Sequence, residues 1–115
     1  IVYGGSQHVG IAVIQVNKKF PEVRSGINIK YDPKIISKAK KSKFTVLSYD
    51  RSKEPKKSKQ KENSSISWGI SNSLNAKSPD VIYHKGDIGK EPMILIFGKN
   101  PDDVIRKVSK LRPYH

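Results

Sequence analysis

The chain has 115 residues, enough for one domain with a modest core. Apolar residues make up 35% and charged residues 29%, and no apolar run nears the roughly 20 residues of a bilayer-spanning helix, which excludes such a helix. Cysteine is absent, which rules out disulfides, thiolate nucleophiles and sulfur-ligated zinc, while a net charge of +13 turns the surface toward anions such as phosphate esters, nucleic acid or acidic membrane. Lysine dominates the positive charge, so much of it is expected to serve solvation. No secretory leader is visible, and the expected compartment is the cytoplasm. The first residue is Ile1, not Met, and the expectation is one domain over 1–115 that is truncated at its N-terminus and belongs to a longer chain.

Along the chain, the segment His8 to Val16 reads two ways. Its β-branched residues favour a strand, while its length and its Ala and Gly positions also allow a buried helix. Ser25 to Tyr31 alternates Ile27 and Ile29 with Asn28 and Lys30, as a strand does. Asp32 to Lys41 reads as a helix, with Asp32 as N-cap, Pro33 at the first turn and Ile35, Ile36 and Ala39 on one face. Phe44 to Tyr49 is an apolar, β-branched strand. Lys53 to Asn63 is polar without an apolar anchor and reads as a loop. Ser65 to Asn75 is a helix in which Ile66, Ile70 and Leu74 recur every fourth residue, with Trp68 expected in the core. Asp80 to His84 and Met93 to Phe97 are strands, the latter continuous enough to be covered on both faces. Asn100 to Leu111 is a helix capped by Asn100, opened by Pro101, and carrying Asp102 and Asp103 at its positive end. Strands that alternate with helices, with two successive strands near the end, indicate helical layers on a mixed sheet.

Functional groups gather at strand ends and loops, where α/β proteins place ligands. Gly4, Gly5, Ser6, Gln7 and His8 offer flexible backbone ahead of a possible helix start, with His8 able to donate to a phosphate. Asn28 and Lys30 share one face of a strand. Asp50 and Arg51 close a strand, and Arg suits bidentate contact with phosphate or carboxylate. Asp80 to Met93 is the sharpest cluster: a strand ends at His84, Gly86 and Gly89 then free backbone N–H groups, Lys85 and Lys90 add charge, and Asp87 or Glu91 are candidates for a hydrated Mg²⁺ shared with substrate phosphates. HExxH, GxSxG, GxGxxG and Walker A patterns are absent, and the aromatics form no stacking platform for single-stranded nucleic acid.

Read together, the stretches GGSQHV, GINIKYDPKII, SYDRSKEP, SISWGI and PDVIYHKGDIGKEPMILIFGKNPDDVIRKV resemble the ThiN family of thiamine-phosphate synthase domains, in the family's order and over nearly the whole chain. The resemblance implies an α/β fold, a three-layer α/β/α arrangement on a mixed, partly antiparallel sheet of the aldolase-like (AraD/HMP-PK-like) type. It also implies a helix at His8. The implied reaction condenses hydroxymethylpyrimidine diphosphate with thiazole phosphate, giving thiamine phosphate and diphosphate. Arg51, His84 and Lys90 are then expected at phosphate or diphosphate, with His8 as a further catalytic contact. Gly5, Ser6, Asn28, Lys30, Gly86 and Gly89 are expected to bind substrate, and Asp87 or Glu91 to hold Mg²⁺. Expected partners are the two phosphorylated substrates and a fused upstream kinase domain, with no membrane and no nucleic acid, and with a homodimer possible. The alternative is a domain that senses thiamine phosphate for a transcriptional regulator without catalysing its synthesis.

Overall fold

The computed structural model describes residues 7–50, 62–86 and 91–111. The elements are α1 (Gln7–Lys19), β1 (Ser25–Lys30), α2 (Pro33–Lys41), β2 (Val46–Ser48), α3 (Glu62–Ser73), β3 (Val81–His84), β4 (Met93–Gly98) and α4 (Pro101–Leu111). The four strands form one sheet in the order β1-β4-β3-β2. β4 is antiparallel to both β1 and β3, whereas β2 and β3 are parallel, so the sheet is mixed. A parallel pair needs a crossover, and α3 lies in the chain between β2 and β3.

Two apolar cores lie on opposite faces of this sheet. On one face, Val9, Ala12, Val13 and Val16 of α1 and Ile66 and Ile70 of α3 pack on Ile82, Leu95 and Phe97. On the other, Ile36 and Ala39 of α2 and Val104, Val108 and Leu111 of α4 pack on Val81, Ile94 and Ile96. The architecture is three-layered α/β/α. The alternation of side chains along β4 assigns Leu95 and Phe97 to the first core and Ile94 and Ile96 to the second, all at most 1% exposed. That is why β4 reads as a continuous apolar run.

The ambiguous first segment is helical. Val9, Ala12, Val13 and Val16 follow the i, i+3, i+4, i+7 spacing of one helix face and are buried, while Ile14 is 56% exposed. Packing against a sheet face overrides the strand preference of β-branched residues. β2 is shorter than expected. Phe44 and Thr45 still belong to the turn after α2: the Phe44 N–H donates to Ala39 O, and the Thr45 N–H donates to the Asp80 carboxylate at 2.8 Å. α3 starts earlier than expected, at Glu62, within the polar stretch read as loop. An apolar period marks only the buried part of a helix, and the turn ahead of Ile66 carries none. Asp32 caps α2, accepting from the Lys34 N–H at 2.9 Å, and Asn100 caps α4, accepting from the Asp103 N–H at 2.8 Å. No helix among the described residues is long and apolar enough to cross a membrane.

Candidate functional site

Ligands of open α/β sheets settle beyond the carboxyl ends of parallel strands. β2 and β3 end at Ser48 and His84, and a cavity of about 470 Å³ opens there. Ser48, Tyr49 and Asp50 line it from the end of β2, Tyr83, Lys85 and Gly86 from the end of β3, and Asn72 from α3. The antiparallel ladders bring a third chain end to the same side. Lys30 pairs with Met93, and Met93 pairs with His84. Asn28 and Lys30 are exposed there, on the sheet face that α1 covers further along, and Asn28 Nδ2 lies 3.9 Å from Met93 Sδ. α1 runs back against β1: its Val13 packs beside Gly26, and its Asn17 Nδ2 donates to Val23 O at 2.9 Å. The first turn of α1, which includes His8, therefore lies toward the Lys30 end of β1.

The wall of the cavity is held by aromatic packing. The Tyr49 ring meets Trp68 edge-on at 6.3 Å and the His84 ring at 5.2 Å. This seat requires a glycine in α3, because a Cβ at Gly69 would come within 2.3 Å of Tyr49 Cε2. His84 is 1% exposed, and its Nδ1 accepts the Gly86 N–H at 3.1 Å. A ring nitrogen that accepts carries no proton, so a neutral His84 has its proton on Nε2. Gly86 has φ 85°, a left-handed conformation that L side chains rarely adopt.

Of the residues expected from the sequence, the structure brings Asn28, Lys30, His84 and Gly86 to one end of the sheet. Glu91 is exposed two residues ahead of β4, whose Met93 pairs with His84. His84 is expected to contact phosphate directly, yet its imidazole is buried in the wall and is not among the described residues that line the cavity. Gly5, Ser6, Arg51, Asp87, Gly89 and Lys90 lie outside the described residues, as does the side chain of His8. In sequence, Arg51 directly follows Asp50, and Asp87, Gly89 and Lys90 fall between Gly86 and Glu91. Sequence reasoning missed Ser48, Tyr83 and Asn72 as lining residues. The strand-end rule marks the first two. Asn72 stands two residues beyond the SISWGI stretch on α3, and only packing brings it to the cavity. Among the described residues no group of three His, Cys, Asp or Glu gathers as a metal cluster, while Asp50 supplies one carboxylate to the cavity.

Comparison with known proteins agrees with this fold. The family model for thiamine-phosphate synthase ThiN matches residues 1–110. Thiamine-phosphate synthase ThiN of Methanothermobacter thermautotrophicus is 44% identical over 115 residues, covering 97% of this chain and 60% of the relative. The bifunctional thiamine biosynthesis protein ThiDN of Methanocaldococcus jannaschii is 38% identical over 114 residues, covering 97% of this chain and 26% of the relative. The crystal structure of the C-terminal domain of phosphomethylpyrimidine kinase superposes with a TM-score of 0.85 at 44% identity, over 93% of this chain and 61% of that one. The chain thus spans less than two thirds of the length of each.

Proposed function

The chain belongs to the ThiN thiamine-phosphate synthase family, and from that premise we propose that it condenses hydroxymethylpyrimidine diphosphate with thiazole phosphate to give thiamine phosphate and diphosphate. The observation that carries the reading is the cavity at the carboxyl ends of β2 and β3, where Lys85 and the Gly86 backbone meet Asp50 and Asn72. In the proposed reaction the thiazole nitrogen bonds to the pyrimidine methylene carbon as the carbon–oxygen bond to diphosphate breaks. The methylene develops positive charge, which the aminopyrimidine ring spreads, and the departing diphosphate takes the electron pair. Such a step needs no covalent nucleophile and no carboxylate pair. It needs two anions held in line and the leaving charge stabilised.

Lys85 supplies a cation at the cavity, and Arg51 and Lys90 are proposed to add charge-assisted contacts to the phosphates. Asn28 and Lys30, exposed at the same end of the sheet, are proposed to orient the pyrimidine and its charge. Gly5 and Ser6, which precede α1 in sequence, and His8 in its first turn are proposed as a second anion contact. Mg²⁺ fits this chemistry because it is usually held by one or two carboxylates together with substrate phosphates. Asp50 stands at the cavity, Glu91 lies ahead of β4, and Asp87 is the third candidate. When bound, the ion would neutralise diphosphate charge. Because a similar solved structure is the C-terminal domain of a phosphomethylpyrimidine kinase, an upstream kinase domain is proposed as the fusion partner of this chain.

The test is direct. The purified chain is mixed with both substrates and Mg²⁺, and thiamine phosphate is followed by its fluorescence after oxidation. Product above a no-protein control is expected. A folded chain that binds thiamine phosphate and makes none is a ligand sensor instead. Arg51→Ala or Lys90→Ala is expected to lower turnover about 100-fold without lowering the melting temperature. Unchanged turnover removes that residue from the mechanism.

A further inference from the structure

We infer that His84 is a positioning residue: its Nδ1 fixes the turn at Gly86, and so sets where Lys85 and the Gly86 backbone meet a bound diphosphate, without the imidazole touching substrate. The inference rests on the synthase reading for its effect on turnover. Its structural content does not depend on that reading.

Three observations carry it. The first is burial. At 1% exposure, with the Tyr49 ring 5.2 Å away and Tyr49 itself seated on Gly69 and Trp68, the imidazole is part of the wall. The second is the bond. The Gly86 N–H donates to His84 Nδ1 at 3.1 Å, which closes a short ring across Lys85, the exposed lysine that lines the cavity. The third is the backbone. Gly86 stands at φ 85°, and an acceptor two residues upstream holds it there. The ladder pair His84–Met93 anchors the other side of the residue. A buried side chain that accepts from its own loop is an orienting device, as Asn and Asp are in Asx turns.

That equivalence supplies the test. In His84→Asn, Oδ1 takes the place of Nδ1 and can accept the Gly86 N–H. In His84→Gln, the amide reaches toward the position of Nε2 and leaves Gly86 without its acceptor. Both variants are compared with the parent for synthase kinetics and for hydrogen exchange at the Gly86 amide by NMR, with folding checked by circular dichroism. His84→Asn is expected to keep kcat/KM within about threefold and a protected Gly86 amide. His84→Gln is expected to lose about tenfold or more in kcat/KM, the size of one hydrogen bond, chiefly through KM for the diphosphate substrate, with Gly86 exchanging at least tenfold faster.

Activity kept in His84→Gln and lost in His84→Asn would mean direct contact through Nε2 and would overturn the inference. Equal loss in both, equal retention in both, or unchanged Gly86 exchange in His84→Gln would overturn it too. Should His84→Gln not fold, the Asn variant decides: parent-like turnover with a protected Gly86 supports positioning, and lost turnover rejects it. A parent chain that makes no product defeats the synthase reading alone. The inference then stands or falls on the exchange rates and on the affinity for inorganic diphosphate, which His84→Gln should weaken about tenfold and His84→Asn should not.

Discussion

At Gly86 the chemistry of one residue decides the local shape of the site. Its φ of 85° is open to glycine and costly for any side chain, by about 1–2 kcal/mol. Gly86→Ala is therefore expected to lower stability by about that amount in urea denaturation, and to reduce synthase turnover more than the stability loss explains. An alanine variant as active as the parent would show that the turn does not position the anion. Gly69 is set by its neighbour, not by its own backbone: the Tyr49 ring fills the space a Cβ would take. The motif SISWGI thus encodes a flat seat for Tyr49, and through it the wall against His84.

Among the elements, α4 is tied to the sheet by polar contacts as well as by its apolar stripe. Lys107 is 8% exposed, and its Nζ donates to Asp80 Oδ1 and to Phe97 O, each at 2.7 Å. The other Asp80 oxygen accepts from the Thr45 N–H, so one carboxylate joins α4 to the entry of β2. Lys107→Met keeps the apolar stem and strands both acceptors. It is expected to cost about 1.5–3 kcal/mol in urea denaturation, and a neutral result would show that water replaces the ammonium. Asp103 tunes the same helix. Burial alone would raise its pKa, but the Arg106 hydrogen bond, the Lys99 N–H and the charges of Lys107 and Arg106 outweigh that and hold it below its ordinary 3.8. A carboxyl depressed in the folded state adds stability that is full above its ordinary value and is lost as pH falls through the lower, folded one. Melting temperature is therefore expected to drop below about pH 4, and Asp103→Asn to flatten that part of the profile.

For the molecule as a whole, β4 lends one face to each core, so neither core can melt while the other keeps its sheet. Trp68 fluorescence, which reports the α1–α3 side, is expected to follow the same thermal transition as far-ultraviolet circular dichroism. Separate transitions would mean that the two sides unfold independently. The same sharing of strands explains how much was legible beforehand. Helices with strong caps and stripes, such as Asp32 to Lys41 and Asn100 to Leu111, and the apolar run of β4 were readable because local pattern and burial agree there. The His8 to Val16 segment is not readable from pattern alone, because β-branched residues satisfy a strand and a buried helix equally until a sheet face is present to choose.

The candidate site divides along the same line. The sequence by itself determined the basic charge, the absence of cysteine chemistry, the capped helices and the glycine-bearing stretch after β3, because each depends on residue type and near neighbours. Only the tertiary structure decided that Asn28, Lys30, Asp50, Asn72, Lys85 and Gly86 share one end of the sheet, and that His84 lies inside the wall. Strand order and register create those neighbours, and both are set by long-range pairing and by packing on two faces, which no local pattern encodes.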